Sequence, residues 1–104
     1  MEDKTFTFDS GAQRQKLDDV RYDLISPIAL KRLARVYAHG ATRYGENNWR
    51  KGFPVSVLLN HILAHLVAYL ERAKDEDHLA HAFWGIAALI EQEELRPEFD
   101  DRYK

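Results

Sequence analysis

Carboxylate and imidazole side chains are concentrated in one short stretch of this sequence, Glu76-Asp77-His78, and His81 follows shortly after. His65 places another imidazole in the preceding apolar segment. Oxygen and nitrogen donors of these kinds suit Mg²⁺, Mn²⁺ or Zn²⁺, and the carboxylates alone favour the harder ions. An ordinary acidic first turn of a helix is the alternative, because helix N-termini favour negative charge.

A second polar stretch, residues 40–52, combines flat aromatic rings with cations. Tyr44 and Trp49 offer ring faces for a base, and the neighbouring cations would suit a phosphate. Those cations are Arg43, Arg50 and Lys51. The alternative is a helix-capping loop whose tryptophan fills the core, since glycine and asparagine are common in loops for local reasons.

The elements that must position these residues have the apolar spacing of helices. Apolar residues recur at intervals of three and four over about 27–40, 54–73 and 76–95. The second of these helices has the broadest apolar face, so we expect it to be central. The fold class predicted is therefore all-α, with three main helices in an oligomeric helical assembly.

The predicted helix boundaries depend on capping residues. Ser26 precedes Pro27 and can cap the first helix, which Gly40 is expected to end. Asp75 is a plausible cap for the third helix, and Pro97 halts it.

The segment before the helices, residues 1–25, lacks a helical pattern. Within it, residues 5–8 alternate like a short strand, and the glycine at position 11 then breaks the alternation. We predict an extended arm that is either a solvated tail or folds over a site built by the helices. The remaining organisation is a helical domain of residues 26–95 and a charged tail of residues 96–104, forming a single domain overall.

Composition limits the classes of protein to which this chain can belong. At 104 residues the chain makes one domain, small enough that pairing with another copy would help its stability. The formal net charge of -2 argues against duplex nucleic acid as a partner. Because the chain has no cysteine, no membrane-length apolar run and no secretion signal, we expect a cytoplasmic protein without a membrane partner.

Several short motifs follow one another in a specific order along the chain. They are Gly11-Ala12-Gln13-Arg14, residues 21–25, residues 28–34, Gly40-Ala41, Tyr44-Gly45, Asn48-Trp49, Lys51-Gly52, and residues 76–82 with Trp84. Together, from Gly11 to about Glu94, they resemble the phage-type dATP/dGTP diphosphohydrolase family. The resemblance implies an all-α fold related to the MazG-like nucleotide pyrophosphohydrolases, assembled as a homo-oligomer in the cytoplasm of a bacterial host.

The resemblance also implies a reaction and a set of site residues. Such enzymes cut a nucleoside triphosphate to the monophosphate and pyrophosphate, using carboxylate-bound Mg²⁺ or Mn²⁺. The small-molecule nucleotide is assigned to Arg14, Arg21, Tyr44, Asn48, Trp49, Lys51 and His81. The metal is assigned to Glu76, Asp77 and His78, and catalysis to Glu76, Asp77 and His65. Whether each imidazole ligates metal, contacts phosphate or orients water stays open.

Two positions depart from the family pattern. Ala64 stands where that pattern has an arginine, and Gly85 where it tends to have an asparagine. Since arginine supplies bidentate bonds to phosphate, its replacement motivates a second hypothesis. In that hypothesis the chain sequesters a cyclic dinucleotide or an ADP-ribose derivative without cutting it. A third hypothesis is that the chain is a purely structural helical oligomer.

Overall fold

The computed structural model describes residues 5–103, which are mostly helical and include a small two-stranded sheet. The strands are β1 (Thr5–Thr7) and β2 (Gln13–Gln15), and the helices are α1 (Pro27–Tyr44), α2 (Val55–Leu70) and α3 (His78–Leu95). Short 3₁₀ turns cover Tyr22–Leu24, Asn48–Lys51 and Pro97–Phe99. Residues 1–4 of the predicted arm and residue 104 of the predicted tail lie outside the described residues.

The central helix is α3, which packs against both α1 and α2. Arg32 pairs with Asp77 at the start of α3, whereas Tyr37 contacts Trp84 further along it, so α1 and α3 run in the same direction. The expectation that the second helix would be central is therefore wrong.

Small residues explain why α3 can take the central position. Ala80, Ala82, Gly85 and Ala88 are all buried, and they let two neighbouring helices approach from different sides. A Cβ built at Gly85 would lie 2.5 Å from Cγ1 of Ile62, which is closer than real carbon atoms approach. The glycine at this position is thus required by the close packing of α2 on α3.

The first helix begins as predicted and ends later than predicted. The Ser26 hydroxyl accepts a hydrogen bond from the Ala29 amide at 3.1 Å, which confirms it as the N-cap. The expected stop at Gly40 is wrong, because the helix continues through that residue to Tyr44. The helix ends instead at Gly45, whose φ of 94° suits glycine.

The turn between α2 and α3 also differs from the prediction. The second helix ends at Leu70, and Arg72 adopts a left-handed conformation with φ of 64°. The third helix begins at His78, and its N-cap is Asp77 rather than Asp75. Neighbouring acidic residues can each cap a helix, so the sequence alone did not distinguish them.

The N-terminal arm is a short antiparallel hairpin in which Thr5 faces Gln15 and Thr7 faces Gln13. This confirms the predicted strand at the start of the chain. Apart from Lys16, the side chains of residues 5–25 are exposed rather than folded over the helices.

The C-terminal tail is held against the start of α2. The Asp101 carboxylate accepts hydrogen bonds from the Ser56 amide at 2.8 Å and from the Ser56 hydroxyl at 2.5 Å. Phe99 packs on Gly52 so closely that a Cβ at position 52 would overlap the ring. The tail therefore covers the connection between α1 and α2.

Across the described residues, none of the helices has the length and apolar character needed to cross a membrane.

Candidate metal centre and aromatic loop

Three potential ligand atoms converge where α3 begins. Nδ1 of His65 lies 2.9 Å from Nδ1 of His78, and Oε1 of Glu76 lies 3.3 Å and 3.4 Å from these two nitrogens respectively. The helical hairpin explains the convergence, because His65 is near the end of α2 while Glu76 and His78 follow the turn. We call these three residues the His-Glu cluster.

The spacing of the cluster fits a metal ion. Metal–nitrogen and metal–oxygen bonds of about 2.0–2.2 Å place neighbouring ligand atoms roughly 3–3.5 Å apart. The three atoms of the cluster have these separations before any ion is bound. The residues therefore fit a divalent cation both in donor type and in distance.

Asp75 fixes the orientation of the His78 ring. Its carboxylate lies 2.7 Å from Nε2 of His78, and because a carboxylate only accepts, Nε2–H donates. In the neutral ring this leaves the Nδ1 lone pair directed into the cluster. The same hydrogen bond holds the pKa of Asp75 below its ordinary value. His78 itself is buried, being 8% exposed.

His65 lies between the cluster and a further imidazole. Burial lowers the pKa of His65, and the nearby His81 lowers it further, which favours the neutral ring that metal ligation requires. The two rings stack with centroids 5.0 Å apart. Nδ1–H of His81 donates to the Asp77 carbonyl at 2.8 Å, so its Nε2 atom is an acceptor beside the cluster.

Asp77 has other partners in this structure. Its carboxylate accepts two hydrogen bonds from Arg32, at 2.8 Å and 2.5 Å, and one from the Ala80 amide at 3.1 Å. The arginine is the largest cause that lowers the pKa of Asp77 to about 2. The metal-ligand and catalytic roles expected of Asp77 stay predictions, while the structure shows a cap and an ion pair.

The aromatic loop, residues 40–52 in the sequence, packs near the other end of α3. Trp49 contacts Tyr37 edge to face at 5.8 Å, and the Arg50 guanidinium lies 4.7 Å from the Trp49 ring. Arg50 also donates to Glu91 at 3.0 Å and to Asn47 at 2.5 Å. Trp49 and Arg50 are thus used in packing and ion pairing within the chain.

A two-way hydrogen bond anchors the end of this loop. Buried Gln92 accepts from the Phe53 amide at 2.8 Å and donates to the Phe53 carbonyl at 2.7 Å. Of the predicted nucleotide contacts in the loop, Tyr44 and Lys51 are exposed and Asn48 is half-buried. Tyr44 and Lys51 are therefore more accessible to a ligand than Asn48 and Trp49, which are both half-buried.

The loop and the His-Glu cluster lie at different ends of α3. The loop contacts Glu91 and Gln92, whereas the cluster includes His78, and a rise of 1.5 Å per residue places these positions about 20 Å apart. Aromatic rings lie between them, because Tyr37 contacts both Trp49 at 5.8 Å and Trp84 at 6.2 Å.

The predicted arm residues form a separate group. Arg14 is exposed in β2, and Arg21 is paired with Asp23 through bonds of 2.8 Å and 2.7 Å. The structure therefore brings together His65, Glu76, His78 and His81, with Asp77 beside them. The loop residues and the arm residues do not join this group within one chain.

Sequence reasoning missed three contributors to these regions. Asp75 was considered only as a cap, although its position one turn before His78 could have suggested a hydrogen bond between them. Arg32 and Tyr37 lie on the first helix, far in sequence from their partners on α3. Nothing in their local spacing marks these partners, since they depend on the way the helices pack.

Comparison with known proteins gives two matches. Residues 9–102 match the family described as dATP/dGTP diphosphohydrolase, N-terminal. A dATP/dGTP diphosphohydrolase of Salmonella phage PMBT28 is 35% identical over 85 residues, which cover 76% of this chain and 29% of that relative. The chain thus spans less than a third of the length of that relative. No solved structure matches the chain. The two matches confirm the resemblance drawn from the motifs.

Proposed function

Because the chain belongs to the dATP/dGTP diphosphohydrolase N-terminal family, we propose that it hydrolyses a purine deoxynucleoside triphosphate to the monophosphate and pyrophosphate. The reaction takes place at the His-Glu cluster, which binds a divalent cation. The observation that carries the proposal is the convergence of one carboxylate oxygen and two imidazole nitrogens within 3.4 Å of one another. The printed name of the phage relative supplies the substrate class.

Nδ1 of His65, Oε1 of Glu76 and Nδ1 of His78 are the atoms that would hold the ion. When bound, it neutralises phosphate charge and lowers the pKa of a coordinated water. With three protein ligands, such an ion would have further coordination positions for that water and for phosphate oxygens. Asp75 maintains the His78 ring in the orientation that ligation needs.

His81 is the group best placed to accept a proton beside the cluster. Its Nδ1–H is fixed on the Asp77 carbonyl, so the ring can accept only at Nε2. A neutral imidazole with an accepting nitrogen is suited to take a proton from an attacking water. Stacking on His65 holds the ring close to the proposed reaction centre.

The nucleoside extends from the cluster along α3 toward Trp84 and Tyr37. Trp84 lies one helical turn beyond His81, and its contact with Tyr37 at 6.2 Å continues the aromatic surface. Flat rings of this kind suit stacking by a purine base. Tyr44 and Lys51 are too far along α3 to reach phosphates held at the cluster of the same chain.

A nucleotide panel tests the proposed reaction. The purified protein is incubated with each deoxynucleoside triphosphate and with Mg²⁺, Mn²⁺, Co²⁺ or Zn²⁺, and the products are identified by mass. We expect the monophosphate and pyrophosphate from dATP or dGTP, with the activity lost in Glu76→Gln. The matched control is Glu71→Gln, which removes an exposed carboxylate at the end of α2 and is expected to remain active. Intact nucleotides in every mixture would refute the proposal.

Sequestration of a nucleotide signal is the second candidate function. It is favoured by the pairing of Arg32, a cation that contacts the start of α3. Both of the hydrogen bonds that Arg32 makes there go to the Asp77 carboxylate, so its guanidinium is engaged within the chain rather than with a phosphate. With alanine at position 64, phosphate stabilisation must come from the bound ion or from another segment. This candidate predicts tight binding without metal and recovery of an intact cyclic dinucleotide or ADP-ribose derivative, which the same mass measurement detects.

A further inference from the structure

The donor set of the His-Glu cluster specifies a class of metal ion. Two imidazole nitrogens and one carboxylate form a combination used by catalytic zinc sites, whereas Mg²⁺ is usually held by carboxylates, waters and phosphate oxygens. Imidazole ligands favour borderline transition ions such as Zn²⁺ and Co²⁺. Glu76 is the single carboxylate among the three atoms that converge.

Hydrogen bonding within the cluster also indicates a cation. Nε2–H of His78 donates to Asp75, so Nδ1 of the neutral ring is an acceptor. At 2.9 Å from it lies Nδ1 of His65, and Oε1 of Glu76, another acceptor, lies within 3.4 Å of both nitrogens. Nδ1–H of His65 can donate to these neighbours in the absence of an ion. In the other tautomer of His65 all three atoms are acceptors, and one metal ion could then be shared by them.

The geometry points to a transition-metal site of the zinc and cobalt type at His65, Glu76 and His78, selective against Mg²⁺. This inference deepens the proposed function and concerns the same cluster. It differs from the sequence-based expectation of Mg²⁺ or Mn²⁺ at Glu76, Asp77 and His78, because here His65 replaces Asp77 as a ligand. Asp77 remains the cap and ion-pair partner.

Metal binding is measured directly, without substrate. Titration calorimetry on the full chain is expected to show one Zn²⁺ per chain, bound about a hundredfold more tightly than Mg²⁺. Cobalt gives visible absorption bands that report its ligands. We expect these bands in the wild type and in the controls His61→Gln and Asp77→Asn, and their loss in His65→Gln and Glu76→Gln.

A milder variant separates ligation from folding. Asp75→Asn keeps all three ligands but weakens the orientation of His78, so Zn²⁺ affinity should fall about tenfold to a hundredfold with the helical content unchanged. Equal affinity for Mg²⁺ and Zn²⁺, or cobalt bands that persist in His65→Gln, would overturn the inference. A chain that binds Zn²⁺ through the cluster but cuts no nucleotide would refute the proposed function and leave the metal site standing.

A different observation concerns the surface of the α2–α3 hairpin. Seven large apolar side chains, spaced by three and four residues along both helices, are at least 39% exposed. They are Leu63, Leu66, Leu70, Leu79, Phe83, Ile86 and Ile90. We call them the apolar stripe. Their helical phases place the stripe away from α1, so it lies on a different side of the hairpin from the His-Glu cluster.

The two helices that carry the apolar stripe also lack charged residues over most of their length. Charged residues make up 31% of the chain, yet residues 55–70 and 78–90 contain no Asp, Glu, Lys or Arg. A helix pair that faced water on its outer side would carry such residues there. The hairpin instead has the composition of helices that are covered on more than one side.

The area of the stripe is sufficient for a stable dimer. With about 200 Å² for a fully exposed large side chain, the seven exposed fractions amount to about 700 Å², close to the roughly 800 Å² per partner of a standard interface. A single chain has little core of its own, since none of the large side chains of the described residues is fully buried. Its radius of gyration of 18.3 Å also exceeds the roughly 13 Å of a compact domain of this length.

We infer that a second copy of this chain covers the apolar stripe, and that the two hairpins form a four-helix bundle. An uncharged apolar stripe is self-complementary under a two-fold axis, as an isologous interface requires. The His-Glu cluster of each copy then remains accessible on the outer side of the bundle. This inference does not depend on the reaction proposed for the cluster.

Sedimentation of the full chain tests whether two copies associate. We expect a dimer at micromolar concentration, and dissociation to helical monomers in Phe83→Ser and Leu63→Ser. The matched control is Ile28→Ser on α1, which removes a side chain that is 74% exposed but outside the stripe, and it should remain dimeric. A wild-type chain that sediments as a monomer would overturn the inference. So would a dimer that Phe83→Ser and Leu63→Ser both leave intact.

Discussion

The two ends of α3 use polar and aromatic side chains for different purposes. At its start, His65, Glu76 and His78 point potential ligand atoms at one another. Near its end, Trp49 and Arg50 are engaged with Tyr37, Glu91 and the loop itself. The start of the helix carries the site at which we propose that an ion binds, and the end holds a chain connection.

This difference shows that a loop rich in aromatic and cationic residues need not be the ligand site of its own chain. Trp49 and Arg50 satisfy each other and their neighbours, so their residue types alone do not assign them to a ligand. The cluster, in contrast, brings together three potential ligand atoms that we propose share a cation. The partners of a polar residue therefore decide between structural and chemical roles.

The largest expected effect separates two neighbouring carboxylates at the start of α3. Glu76→Gln should lower kcat/KM for the preferred nucleotide about a thousandfold, because it removes a proposed metal ligand worth several kcal/mol in the transition state. Asp77→Asn should retain most of the activity and lose about 1 kcal/mol of stability through its weakened pairing with Arg32. Steady-state kinetics and denaturant unfolding measure the two effects. The opposite ranking of the two variants would assign the chemistry to Asp77.

A second expected effect concerns the spacing of α2 and α3. Gly85→Asn introduces the residue that the family pattern favours, but its Cβ would lie 2.5 Å from Cγ1 of Ile62. We expect a loss of about 2 kcal/mol of unfolding free energy from overpacking.

The double variant Gly85→Asn, Ile62→Ala provides the control for that prediction. Truncating Ile62 should recover part of the stability relative to the sum of the single changes, because the space for the asparagine then exists. If Gly85→Asn costs the same unfolding free energy in the wild type and in Ile62→Ala, the two side chains are not in contact.

The third expected effect tests whether the loop end is structural. Trp49→Ala should cost about 2 kcal/mol of unfolding free energy, since the ring is half-buried against Tyr37. Tyr44→Ala, also in the loop but 63% exposed, should leave stability nearly unchanged. Denaturant unfolding of both variants distinguishes packing from exposure. A larger loss for Tyr44→Ala would reverse our assignment of the loop residues.

The smallest expected effect is a pH dependence of the tail. Hydrogen bonds from Ser56 hold the pKa of Asp101 below its ordinary value of 3.8. A lowered pKa in the folded state means that the stabilising contact is fully present above pH 3.8 and is lost as the pH falls through the lowered value. The protection of the Ser56 amide against hydrogen exchange, taken relative to the intrinsic rate at each pH, should therefore fall at low pH, and Asp101→Asn should abolish this change. An identical acid response in the variant would exclude Asp101 as its source.

The sequence predicted the helical elements well because their signals are local. Apolar spacing indicated three helices, and Ser26 and Pro97 marked boundaries that depend on neighbouring residues. The extension of α1 through Gly40 was not predicted, since the signal of a glycine is ambiguous within a helix. Only the contacts of the following turns decide whether such a helix continues.

The candidate site was predicted in its residue types but not in its grouping. His65, Glu76 and His78 were all named from the sequence, and the structure brings their ligand atoms together. The separation of the loop from this cluster depends on the direction of α1 relative to α3. The pairing of Arg32 with Asp77 depends on the same packing, across 45 positions of sequence. Neither follows from local spacing.

Anomalous diffraction from crystals grown with Mn²⁺ or Zn²⁺ and a non-hydrolysable purine deoxynucleotide would locate the ion and the phosphates together. We expect a metal peak within ligand distance of Nδ1 of His65, Oε1 of Glu76 and Nδ1 of His78, with the phosphates beside it. A peak coordinated by Asp77 without His65, or phosphates bound at the loop with no metal at the cluster, would contradict this expectation.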